Sequence, residues 1–148
     1  MFYNKILIIA LTAWFLSQTS KMIIHLIINK KLVWERFRGD GGMPSSHSAI
    51  VSSVAVSAGI LYGVNSPVFA LAVVLAVIVM HDAMGVRQET GKQAKVINSM
   101  LELFESLGSG KLTPEETLKE FVGHTGRQVI VGALLGIVTA VLMNLILP

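Results

Sequence analysis

Four long apolar runs fill most of this chain, and nothing else in the sequence constrains the fold as strongly. They span Phe2 to Ile28, Ser46 to Tyr62, Pro67 to Met80 and Gln128 to Leu147. The first is interrupted by Lys21 and His25, and the third is extended by Asp82-Ala83-Met84. A helix needs about 20 mostly apolar residues to cross a bilayer, with a range of about 17–25. Such runs predict an all-α integral membrane bundle of about four transmembrane helices. A soluble helical fold, with the third run as a buried core helix, is the competing reading. Composition weighs against it: only 14% of the 148 residues are charged, where a soluble domain carries about 25%. Mean hydropathy is +0.67. The absence of cysteine excludes disulfide-stapled and zinc-thiolate folds. A net charge of +3 without a basic tail gives no reason to expect a nucleic-acid partner.

Charge sidedness gives a topology. Lys30, Lys31, Arg36 and Arg38 lie between runs one and two. Arg87, Lys92, Lys95, Lys111, Lys119 and Arg127 lie between runs three and four. Ten of the twelve basic residues therefore fall on one side of a four-span arrangement. Positively charged loops stay in the cytoplasm, so both basic loops are expected inside and both termini outside. Lys5, Ile6–Leu16 and Ser17-Gln18-Thr19 also admit a signal-peptide reading. The apolar run resumes at Met22, however, and cleavage would reverse the charge rule.

The long third loop, Asp82 to Arg127, has its own pattern. Val96, Ile97, Met100, Leu101, Phe104 and Leu107 recur at helical spacing, and Gly108-Ser109-Gly110 stops the run. Thr113-Pro114-Glu115-Glu116 reads as a capping box, so one or two short helices are expected here. The stripe suits either the membrane surface or the underside of the bundle. No repeat or domain boundary is visible, so residues 1–148 read as one membrane-embedded unit. Ala49, Ser53 and Ser57 line one face of run two, and Gly132 and Gly136 form a GxxxG in run four. Small-residue faces let helices approach closely in lipid. They serve packing within the bundle or a homo-oligomer equally well.

The chemistry-bearing residues gather at the basic end. His25, His47, His81 and His124 all fall there, with Asp82, Arg87 and Arg127. In Gly41-Gly42-Met43-Pro44-Ser45-Ser46-His47-Ser48 a glycine turn leads into a helix start. Free N–H groups at such a start suit phosphate, and Ser45, Ser46 and His47 are candidate contacts. A plain capped helix with an incidental histidine explains the same spacing. Gln18, Lys21 and His25 share one face of run one. An ionisable group inside a span suggests function by default, with snorkelling or pairing to Asp82 as the alternative for Lys21. Arg87 offers a guanidinium fork to phosphate, and Asp82 is placed to orient Arg87 or Lys21. In Gly123-His124-Thr125-Gly126-Arg127-Gln128, His124 is a candidate nucleophile. The T-x-x-Q stretch is equally a capping box that His124 merely precedes.

With these residues in view, the chain resembles the divergent type 2 phosphatidic-acid-phosphatase (PAP2) relatives, the acid phosphatase/vanadium-dependent haloperoxidase-related membrane proteins. Gly41–Ala49, Asp82–Arg87 with Gly91-Lys92-Gln93-Ala94, and Leu118–Gly136 carry the resemblance. Catalysing PAP2 enzymes use a Pro-Ser-Gly-His stretch, matched here by Pro44-Ser45-Ser46-His47. The resemblance implies His124 as nucleophile, His47 as the proton-shuttling acid and base, and Arg87 with Lys21 or Lys31 as phosphate ligands. It implies a metal-independent hydrolase of a phosphate monoester or lipid (pyro)phosphate, with no cofactor. Two departures stand out. Arg87 and His124 are separated by 36 residues, and Gln128 occupies the place of the carboxylate that orients the nucleophile. Losing that carboxylate costs analogous triads orders of magnitude in rate. Two other classes remain: a non-catalytic binder of anionic lipid headgroups through the basic face, and a structural or transport component.

Overall fold

A computed structural model describes residues 4–30, 42–107, 118 and 123–147, with the side chains of Asn29, Arg87 and Glu105 outside the description. Five helices and no strand appear among the described residues: α1 (Lys5–Asn29), α2 (Ser46–Tyr62), α3 (Pro67–Met84), α4 (Val86–Ser106) and α5 (Gly126–Ile146). Their ends follow from local chemistry. Asn4, Ser45, Ser66 and Thr125 cap α1, α2, α3 and α5, each side-chain oxygen accepting a first-turn N–H. Pro67 opens α3, where its missing N–H costs nothing. Gly63 ends α2 at φ 82°, a left-handed angle that a side chain would disfavour.

α2 is the central helix, packed against α1, α3 and α5, while α1 also touches α5. Two sets of contacts fix the ends. Lys5 Nζ donates to Leu147 O (2.6 Å), and Asn144 Nδ2 donates to Ser57 Oγ (3.1 Å) at one end. Lys21 Nζ meets Ser46 Oγ, and Ser45 N–H meets Gln128 O, toward the other. α1 and α3 therefore run toward the second end, and α2 and α5 run away from it, parallel to each other.

The burial pattern is the reverse of a soluble protein. Large apolar side chains point outward: Leu71 is 71% exposed and Leu145 79%. The interior is mostly alanine, glycine and serine, with Ala49, Ala58, Ser48, Ser53 and Ser57 fully buried and Ile9 the large exception. This is the arrangement of helices in lipid, where tight packing of small residues replaces the hydrophobic drive. α1, α3 and α5 are long and apolar enough to cross a membrane, and α2 is apolar but shorter, at 17 residues. At 1.5 Å per residue α2 measures about 25 Å against a hydrocarbon core of about 30 Å. It needs no full-length lipid face because its neighbours surround it.

The closest approach is between α2 and α5. A Cβ on Gly132 would strike the backbone carbonyl of Ser45, and one on Gly136 that of Ala49. The GxxxG face is thus occupied within the chain, not left open for a second copy. The loop stripe also differs in detail. α4 begins at Val86, ten residues before the stripe, directly after a break at Gly85. Leu103 joins the exposed stripe, and Leu101 is half-buried. The expected cap at Thr113–Glu116 lies outside the described residues.

Gly132→Ala and Gly136→Ala should each destabilise the protein by about 1–3 kcal/mol, the usual cost of overpacking a tight site. Backbone atoms cannot swing away as a side chain can. Gly59→Ala should cost less, because its Cβ would meet side chains, the Phe69 ring and Val64, and no backbone. Reversible unfolding in detergent measures all three, and equal losses would contradict the close approach.

Candidate functional site

The site begins with the polar residues of α1. Ser17, Gln18 and Lys21 lie on one face and are at most 8% exposed. Each meets the segment that starts α2. Ser17 Oγ donates to Pro44 O (3.3 Å) and to Ser46 Oγ (3.0 Å). Lys21 Nζ donates to Ser46 Oγ (2.7 Å), and Ser46 Oγ donates to Gln18 Oε1 (3.1 Å). A buried ammonium needs such oxygen partners, since unpaired polar groups in an apolar medium are costly. The cluster sits below the end of α1. Asn29 lies eight residues past Lys21, so α1 overhangs this level by roughly 12 Å.

The next layer is the joint between α2 and α5. Ser45 is fully buried; its N–H donates to Gln128 O (3.0 Å), and its Oγ accepts from Ser48 Oγ (3.0 Å). Both polar groups of Ser45 are committed to the fold, and the Ser46 hydroxyl to Lys21 and Gln18. The two serines expected at a phosphate are thus hydrogen-bonded within the fold. Because α2 and α5 are parallel and in contact, their N-termini lie side by side. Each carries partial positive charge from unsatisfied N–H groups.

His47, in the first turn of α2, and His124, just before α5, meet at this joint. Their ring centroids are 6.3 Å apart, with the planes tilted by 50°. His124 is 3% exposed, and its Nδ1 is sealed from solvent. Its backbone is clamped from both sides of the Gly85 break. The His124 N–H donates to Ala83 O (2.9 Å), a last-turn carbonyl of α3, and Gln88 Nε2 of α4 donates to His124 O (3.1 Å). The carbonyls of a final helical turn lack intrahelical donors, so the α3 end is a natural dock for this loop.

The remaining expected residues are placed as follows. Asp82 is half-buried beside Ala83, at the same end of the bundle. Gln128 Oε1 accepts the Thr125 N–H (3.0 Å) and completes a capping box with Thr125. The capping reading of that stretch is the one realised. Arg87 is the second residue of α4, two after Gly85, with its side chain outside the description, and Lys31 lies outside the described residues. His25 is half-buried one turn past Lys21, and His81 is exposed. No group of three or more histidine and carboxylate side chains is placed to hold a metal among the described residues. Two contributors had no role assigned from sequence, Ser17 and Gln88; Gln18 was read only as sharing a face with Lys21.

The described helices form a membrane-type helical bundle, with two histidines paired at the joint of two helix starts. The chain belongs to the Divergent PAP2 family, whose model matches residues 2–139. It is 36% identical over 148 residues to the membrane protein YuiD of Bacillus subtilis (strain 168), covering 95% of this chain and 94% of that one. No solved structure matches it significantly.

Ser46→Ala should destabilise the protein by about 1–3 kcal/mol, the cost of stranding buried polar partners. Adding Lys21→Met should cost less than the sum of the two single changes, because contacting residues couple. Detergent unfolding of both single variants and the double variant tests this, and simple additivity would show that Lys21 and Ser46 act separately.

Proposed function

We propose that this protein binds a phosphate ester between His47 and His124 and hydrolyses it through a phosphohistidine. The observation that carries the reading is the 6.3 Å separation of the two rings beside two helix starts. In the first step a His124 ring nitrogen attacks phosphorus and the ester P–O bond breaks. His47, as imidazolium, gives its proton to the departing oxygen. In the second step neutral His47 takes a proton from water as the water oxygen attacks phosphorus, and the P–N bond to His124 breaks. Lys21, with the N-termini of α2 and α5, supplies positive charge near the phosphoryl oxygens, usually the largest catalytic term. Arg87 is the proposed guanidinium ligand and Asp82 the orienting carboxylate, both by resemblance. A membrane-embedded site points to a lipid phosphate or isoprenoid pyrophosphate as substrate. The site opens to the cytoplasm in this reading, because the basic loops share its end of the bundle.

A second reading is favoured by Gln128. With its oxygen on the Thr125 N–H and no carboxylate at that position, the protein holds a phosphate or anionic headgroup without cleaving it.

Phosphate release from phosphatidic acid and isoprenyl pyrophosphates, measured on purified protein, separates the two. Hydrolysis predicts release that falls by at least about 100-fold in His47→Ala and in His124→Ala, the scale of acid–base and nucleophile loss, with EDTA having no effect. A trapped phosphoenzyme should be absent from His124→Ala. Headgroup binding with no release supports the second reading, and equal release from all three proteins overturns the first. A reporter fused after Pro148 should read external, and an internal reading would reverse the sidedness.

A further inference from the structure

α4 leaves the bundle. Among the described helices it touches only α3, from which Gly85 separates it. Around its axis it presents three sectors. Gly91 and Ala94 are buried, and Asn98 on the same side is bonded twice to Leu118 (Nδ2 to O 3.0 Å, N to Oδ1 3.2 Å). Lys95 and Glu102 are exposed on a polar sector. The third sector carries Val96, Ile97, Met100, Leu103, Phe104 and Leu107, each 45–71% exposed. An apolar stripe of this length on an otherwise polar helix requires a cover.

Two coverings are excluded by what is already described. The stripe does not pack beneath the bundle, since it is exposed. Nor can α4 continue α3 through the hydrocarbon. From Pro67 to Phe104 there are 38 residues, about 57 Å of helix against a core of about 30 Å, and α4 carries charges throughout its length. The tether argues for lipid. α3 is long and apolar enough to cross a membrane, and Leu71, Leu75 and Ile78 are exposed on its surface. One residue past its end the ladder breaks: Gly85 N–H closes α3 on His81 O, and Glu89 N–H opens α4 on Gly85 O. A helix released at that level, with one apolar and one charged sector, has the form of an interfacial helix. Near the boundary between sectors, Lys92 pairs with Glu89 (2.6 Å).

We infer that α4 is seated in the headgroup–acyl boundary of the leaflet from which α3 emerges, with the Val96–Leu107 stripe in the lipid. The absence of cysteine makes the test direct. Met100→Cys and Phe104→Cys on the stripe, and Lys95→Cys and Glu102→Cys on the polar sector, are spin-labelled singly in the full chain. The proteins are then reconstituted into phosphatidylcholine–phosphatidylglycerol vesicles. Labels at 100 and 104 should collide with oxygen and be shielded from a water-soluble nickel chelate, with the opposite result at 95 and 102. Nickel access at the stripe equal to that at the polar sector overturns the inference. So does dipolar broadening at 100 that disappears on dilution with unlabelled protein, which would assign the stripe to a second copy. If either stripe variant fails to insert, Ile97→Cys and Leu103→Cys report on the same face. No activity is read, so the outcome is independent of the phosphate chemistry.

Discussion

The backbone-to-backbone seam between α2 and α5 governs the rest of this structure. Gly132 and Gly136 bring α5 against the carbonyls of Ser45 and Ala49, and the Ser45 N–H closes on Gln128 O. Helices in lipid gain little from burying apolar surface, so their association depends on close van der Waals contact and interhelical hydrogen bonds. The seam supplies both. It also sets the register that brings the two helix starts level and turns His47 toward His124.

Parallel neighbours have an electrostatic consequence. Most adjacent helices in an up-and-down bundle are antiparallel and their dipoles attract. α2 and α5 place two positive ends together, and Lys21 adds a buried ammonium nearby. The protein answers part of this with its own oxygens: Ser46 Oγ accepts from Lys21 Nζ and donates to Gln18 Oε1, and Pro44 O accepts from Ser17 Oγ. An anion at the joint would answer more of it, which is the physical basis for reading the site as a phosphate site. The same reasoning explains the serine content of α2. Serine is small enough for the seam and supplies hydroxyls to a helix with almost no aqueous surface.

The His124 loop links the site to the membrane face. Its N–H rests on the last turn of α3 and its carbonyl receives the first turn of α4, so the break at Gly85 and the imidazole are mechanically joined.

The helices, their membrane character and the gathering of histidines at one end were legible in the sequence, because each depends on local pattern: apolar run length, charge sidedness and cap residues. α4 was legible only in part. Its stripe has a period, but Val86–Lys95 has no apolar pattern to announce a helix. Three matters were decided only by the tertiary structure. The docking of the His124 N–H on Ala83 O at the end of α3 had no signal in the sequence. The GxxxG suited a partner chain or an internal helix until α2 filled it. The distance between His47 and His124, 77 positions apart in the chain, is set by helix packing alone. Sequence spacing fixes which side chains share a face of one helix; which faces meet depends on how closely two backbones can approach.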